Sequence, residues 1–111
     1  MWGFEMLKRL LSSWRKKRTG PYTEHHENGQ LWQKGFYSNG EMDGPFQSFY
    51  EDGQLEWNCF FSEDELDGPF ESYQEDGQLE SRGSYSNGEK CGEWIEENKT
   101  VSYPPCPTAN H

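Results

Sequence analysis

The chain has 111 residues, a formal net charge of −10 and a sequence pI of about 4.6, enough for one domain but not for a thick two-layer core. Only 31% of the residues are hydrophobic while 16% are aromatic, which excludes a helical bundle rich in Leu and Ile and suits short twisted strands covered by broad rings. The acidic total conceals a division: Lys8, Arg9, Arg15, Lys16, Lys17 and Arg18 face a single acid, Glu5, before Thr19, whereas beyond it only Lys34, Arg82, Lys90 and Lys99 oppose the acids, so the body should repel nucleic acid and the N-terminus should attract anions.

Residues 1–19 are expected to form a basic amphipathic helix. At 100° per residue Phe4, Met6, Leu7, Leu10, Leu11 and Trp14 fall within an arc of about 160°, with Lys8, Arg9, Arg15 and Lys16 outside it. Gly20-Pro21 ends the helix. Three destinations stay open for its face of Phe4, Leu7, Leu10, Leu11 and Trp14, flanked by Lys8, Arg15 and Lys16: the sheet's own apolar side, an anionic membrane surface, or a groove on a partner. Charges interrupt the apolar residues, so no signal peptide is expected, and no segment approaches the ~20 apolar residues of a membrane-spanning helix.

From Gly20 the chain repeats with a period of 24. Gly20-Pro21-Tyr22, Gly44-Pro45-Phe46, Gly68-Pro69-Phe70 and Gly92-Glu93-Trp94 open four units. Asn28-Gly29-Gln30-Leu31, Asp52-Gly53-Gln54-Leu55 and Asp76-Gly77-Gln78-Leu79 form a second landmark; Ser38-Asn39-Gly40-Glu41, Ser62-Glu63-Asp64-Glu65 and Ser86-Asn87-Gly88-Glu89 form a third. Asn-Gly or Asp-Gly between aromatic-rich runs predicts a hairpin with a two-residue type I′ loop. Centring that loop on Asp52-Gly53 pairs Tyr50 with Leu55, Ser48 with Trp57 and Phe46 with Cys59, and puts Phe61 on the same apolar face. Gln47, Glu51, Gln54, Glu56 and Asn58 then make the other face wet, relieved only by Phe49 and Phe60. Gly35 and Gly83 stand opposite Tyr22 and Phe70, letting each leading ring lie flat. The units predict a mostly β, single-layer antiparallel meander over residues 20–98, of about six strands and a seventh begun at Trp94. Trp94–Asn98 reads as a degenerate terminal unit, followed by a Pro-containing tail over 99–111.

The sequence Gly-x-aromatic, Asn/Asp-Gly-x-Leu, aromatic-x-Asn-Gly at this period resembles the MORN-type repeat, and is closer to its bacterial variant in the YwqK-like antitoxin family. The resemblance covers about residues 20–98; the second unit departs at Glu63-Asp64 and the fourth lacks its second half. It implies stacked hairpins, no catalysis, and roles in binding protein or lipid.

No catalytic constellation is present. His25 and His26 are strand neighbours pointing to opposite faces, and Glu63-Asp64-Glu65 with Asp67 lacks the spacing of a calcium loop. No glycine loop is arranged to cradle phosphate. The expectation is a protein that is not an enzyme and takes no cofactor or metal. Cys59, Cys91 and Cys106 form no C-x-x-C pair and read as reduced thiols in a cytoplasm. The reading is a protein-binding scaffold, as antitoxin, immunity protein or inhibitor, contacting a basic partner through Tyr22, Phe46, Tyr50, Trp57, Phe61, Phe70, Tyr85 and Trp94. The alternative is a peripheral membrane protein docked by the N-terminal helix; homodimer formation through an exposed edge strand stays open.

Overall fold

The computed structural model describes residues 18–107. Its strands are β1 (Gly20–His25), β2 (Leu31–Ser38), β3 (Glu41–Met42), β4 (Gly44–Phe49), β5 (Leu55–Ser62), β6 (Glu65–Leu66), β7 (Gly68–Tyr73), β8 (Leu79–Ser86), β9 (Glu89–Glu96) and β10 (Lys99–Ser102). They form one antiparallel sheet in the order β1-β2-β4-β5-β7-β8-β9-β10, with β3 paired to β2 and β6 to β5. The meander is as expected, but it holds ten strands rather than six and a beginning. The helix expected over 1–19 lies outside the described residues except for Arg18 and Thr19, which precede β1 and are not helical.

The chain reverses at Asn28, Asp52 and Asp76, but not through the expected turn. Gly53 N donates to Tyr50 O at 2.9 Å and Tyr50 N to Gln54 O at 2.8 Å, and His26–Gln30 and Gln74–Gln78 repeat the arrangement. Only the glycine of each Asx-Gly pair has positive φ, +90° to +93°. The Asx side chain instead caps the loop, its Oδ1 accepting from Gln30, Gln54 or Gln78 N at 2.9 to 3.0 Å. Each loop is therefore a type I turn closed by a left-handed glycine and a bulge. The two-residue turns sit at the other landmark, at Asn39-Gly40 (φ 51°, 84°) and Asn87-Gly88 (51°, 83°). Glu63-Asp64 (50°, 69°) and Glu97-Asn98 (48°, 67°) adopt the same shape without glycine.

The bulge changes which residues share a face. Phe46 pairs with Cys59 and Ser48 with Trp57, as predicted, but Phe49 pairs with Leu55, leaving Glu56 as the extra residue. Paired residues share a face and consecutive residues alternate, so Leu55 lies on the side of Phe49, opposite Phe46, and not with Phe46 as the sequence predicted. The same shift pairs His25 with Leu31 and Tyr73 with Leu79.

The core is a row of rings one unit apart, Tyr22, Phe46, Phe70 and Trp94, with Trp94 only 1% exposed. Each packs against a ring further along the chain: Tyr22 tilted against Tyr37 (4.8 Å between centroids), and, edge to face, Phe46 with Phe61 (5.3 Å), Phe70 with Tyr85 (5.2 Å) and Trp94 with Tyr103 just beyond β10 (6.2 Å). The fourth pair shows that the last unit is not degenerate. The two-residue turn at Glu97-Asn98 replaces the longer loop, β10 supplies the returning strand, and Tyr103 takes the place of Phe61 and Tyr85. Lys99–Ser102 is thus a strand and not tail. Gly35 lies under Tyr22 and Phe46, as a flat ring requires, but the ring over Gly83 is the Trp94 indole of the next unit.

Pro45 and Pro69 lie in strands flanked on both sides, where a missing N–H opens the ladder. Pairing of β2 with β4 is confined to Gln33↔Ser48 and Lys34↔Gln47, and of β5 with β7 to Trp57↔Ser72 and Asn58↔Glu71. The freed ends of β2 and β5 pair with β3 and β6 instead. Cys91 and Cys106 form a disulfide across 15 residues, which corrects the expectation of three reduced thiols. Their proximity depends on the β9–β10 register, which cysteine spacing does not encode. Cys59 is free and buried, and burial pushes its thiol up to about 12.

Candidate interaction surface

The bulges build a surface on the half of the ring face nearest the Asx-Gly loops. Opposite a bulge two successive side chains meet one partner, so Glu56 and Trp57 both stand beside Ser48. Ser48 Oγ donates to Glu56 Oε1 at 3.2 Å, and one unit on Ser72 Oγ donates to Glu80 Oε1 at 3.1 Å while lying 2.6 Å from Ser81 Oγ. These bonds satisfy two buried hydroxyls and aim the carboxylates along the face. In the first unit the bulge position belongs to Trp32, whose ring is 6.0 Å from that of His26.

Trp32 is 40% exposed and Trp57 36%, and the Trp57 ring leans edge-on against Phe70 at 5.2 Å. Between them Tyr50 is half-buried, its hydroxyl donating to the Tyr73 carbonyl at 2.6 Å. Burial raises the pKa of that phenol, and Glu56, Glu80, Glu75 and Asp52 raise it further, so the surface carries a negative field. The loops beneath are tied unit to unit, Asn28 Nδ2 donating to Glu51 O at 3.0 Å and His26 Nε2 to Phe49 O at 2.8 Å. An aromatic and acidic band on a cross-braced platform can offer anchors to a partner without ordering long side chains.

Of the residues singled out in the sequence, Tyr22, Phe46, Phe70 and Trp94 are buried, Phe61 and Tyr85 are half-buried among them, and Tyr50 and Trp57 belong to the exposed band. Phe4, Leu7, Leu10, Leu11, Trp14, Lys8, Arg15 and Lys16 lie outside the described residues. Strict alternation sent Glu56 to the wrong face and passed over Trp32; the signal that could have found both is the five-residue His26–Gln30 type of loop, which demands a bulge. The opposite face joins polar side chains to exposed rings. It carries the ladder Gln47–Asn58–Glu71–Arg82, with Asn58 Nδ2 donating to Glu71 Oε1 at 3.1 Å and Arg82 paired to Glu71 at 3.1 Å. Beside this ladder Phe36 and Phe60 are more than 40% exposed. Among the described residues no group of three or more His, Cys, Asp or Glu is placed to hold a metal ion.

The MORN repeat variant family matches residues 18–39, 42–56 and 66–87, together more than half of the chain. These segments fall in the first three units. No curated protein matches the chain.

Proposed function

The chain belongs to the MORN repeat variant family, and from that footing we propose that it is a non-catalytic protein-binding scaffold, an antitoxin, immunity protein or inhibitor that covers a basic partner with the aromatic and acidic band of its sheet. The observation that supports this reading is the exposure of Trp32 and Trp57 on one face with Tyr50, Glu56 and Glu80 around them. Exposed rings on a rigid support supply the large contact energies of an interface, and surrounding carboxylates supply attraction and register toward Lys and Arg. The buried rings Tyr22, Phe46, Phe70 and Trp94 hold the platform; Tyr50, Trp57 and the rims of Phe61 and Tyr85 make the contact. A charge-matched partner would have its nucleic-acid-binding or anionic-substrate surface blocked in the complex.

The test is quantitative binding of the protein that co-purifies with the full chain from its host. Trp32→Ala with Trp57→Ala should weaken binding at least a hundredfold, since two central aromatic anchors each contribute on the order of 2 kcal/mol. Glu56→Gln with Glu80→Gln should slow association and flatten its salt dependence. Undiminished affinity in the double tryptophan variant would refute the proposal. A second reading, supported by the basic and apolar residues between Phe4 and Arg18, is docking on an anionic membrane. It predicts that the full chain sediments with phosphatidylserine vesicles and that removing residues 1–17 abolishes this.

A further inference from the structure

We infer that the Cys91–Cys106 disulfide is a redox-operated clasp that closes the C-terminal edge of the repeat sheet. After β10 ends at Ser102, the chain runs on as Tyr103-Pro104-Pro105-Cys106-Pro107 alongside β9. Two backbone bonds continue the ladder: Tyr103 N donates to Gly92 O at 2.9 Å, and Gly92 N to Pro104 O at 2.8 Å. Pro104, Pro105 and Pro107 have no N–H to add, so backbone pairing cannot hold the segment past that point. The covalent bond does so instead, and it seats Cys106 Sγ directly over Gly92.

What the clasp covers is the last unit's core. Trp94 and Cys91 are 1% and 5% exposed. The Tyr103 ring stands edge-on to the Trp94 indole, and Lys90 Nζ lies 4.6 Å and 5.5 Å from the two ring centroids. Glu96 Oε2 accepts from both Lys90 Nζ at 2.7 Å and Tyr103 Oη at 2.8 Å. Only Tyr103 of the tail belongs to this network, and it is the residue next to the proline run. Opening the disulfide therefore leaves residues 103–107 held to β9 by Tyr103 and by the two backbone bonds at Gly92, of which the Gly92 N to Pro104 O bond lies nearest the freed end.

The exchange balances with a dithiol as reductant. One of its thiolates attacks a sulfur of the Cys91–Cys106 bond and releases the other cysteine; its second thiol then displaces the mixed disulfide. The dithiol leaves as a disulfide, and the two cysteines take up two electrons and two protons. In the reduced chain the N–H of Gly92 loses the Pro104 carbonyl, which lies beyond the Tyr103 anchor, and the edge of β9 there is open to another strand. In an oxidising compartment the edge is closed. The inference is independent of the partner proposed above.

The experiment uses the full chain, air-oxidised or treated with dithiothreitol, with thiols counted in denaturant and amide hydrogen exchange followed by NMR. The oxidised chain should show one thiol, Cys59, and the reduced chain three. Reduction should speed exchange at Gly92 at least tenfold and leave Asp67, whose N–H is bonded to Phe60 O at 2.9 Å, unchanged. Cys106→Ser should reproduce the reduced pattern without reductant. Three thiols in the oxidised sample, unchanged protection of Gly92 after verified reduction, or equal loss at Gly92 and Asp67 would each overturn the clasp.

Discussion

Replacing Gly83 with alanine sets a ring contact against a strand preference of opposite sign. In an open strand alanine is favoured over glycine by up to about 1 kcal/mol, because glycine has more backbone freedom to lose. Gly83 is not among the glycines with positive φ, so its backbone would accept alanine. The added methyl group, however, would overlap Cγ, Cδ2 and Cε2 of the Trp94 indole. That ring cannot slide away, since it is enclosed and its Nε1 donates to Ser84 O at 3.0 Å and Cys91 O at 3.2 Å. Overpacking costs about 1–3 kcal/mol and a displaced indole N–H about 1 more. With the strand preference for alanine subtracted, the net expectation is a loss of about 2 kcal/mol, a fall in Tm of roughly 8–16 °C for a domain of this size. Gly35→Ala sets the scale, because its methyl group would lie 3.1 Å from Tyr22 Cε1 and 3.2 Å from Phe46 Cδ2, a contact relieved by small shifts at a cost within about 1 kcal/mol. Urea unfolding followed by tryptophan fluorescence and far-ultraviolet circular dichroism gives both values, provided the two transitions coincide. In a Trp94→Leu background the penalty at Gly83 should vanish. A Gly83→Ala variant as stable as the parent, or a penalty that survives Trp94→Leu, would refute the ring-over-glycine account.

Three further outcomes follow from single sites. Glu63 holds φ 50° where Asn39 and Asn87 stand in neighbouring units, and asparagine tolerates that region better, so Glu63→Asn should raise stability by about 0.5 kcal/mol in the same urea assay. The Asn58 amide, chiefly, with Tyr73 and Arg82 behind it, holds the Glu71 carboxyl below the usual range against an opposing effect of burial. A depressed folded pKa means stabilisation that is present above the unfolded value of ~4.3 and lost as pH falls through the folded one; carboxyl NMR should show Asn58→Ala raising the Glu71 midpoint and shrinking the acid-side loss. Cys59, its thiol at about 12 through burial, should react with iodoacetamide at pH 8 roughly a thousandfold more slowly than an ordinary thiol and recover full reactivity in denaturant.

The repeat, the hairpin sites and the pairing of Phe46 with Cys59 were legible because they depend on local chemistry. Glycine at a fixed period permits the left-handed backbone, Asx oxygens cap loops two residues ahead, and alternation carries the rings to one side. The band around Trp32, Tyr50 and Trp57 was legible only in part, because a bulge moves every residue beyond it to the other face while leaving the hydrophobic pattern almost unchanged. Glu56 and Leu55 were misplaced for that reason, and Trp32 was passed over.

Local residue preferences thus determined by themselves that this chain is a sheet of four aromatic units turning at Asn28, Asp52 and Asp76. What only tertiary structure decided is how neighbouring units lock: the Trp94 indole over Gly83, the short hairpin that completes the fourth unit, the left-handed turn at Glu63-Asp64, and the meeting of Cys91 with Cys106. Each is set by the packing of one unit on the next, and the free energy that selects it comes from side chains far apart in sequence. Asp64 illustrates the point: its Oδ1 accepts from Met42 N at 2.7 Å, a bond that supports an unfavourable φ of 69° only once the preceding unit is in place.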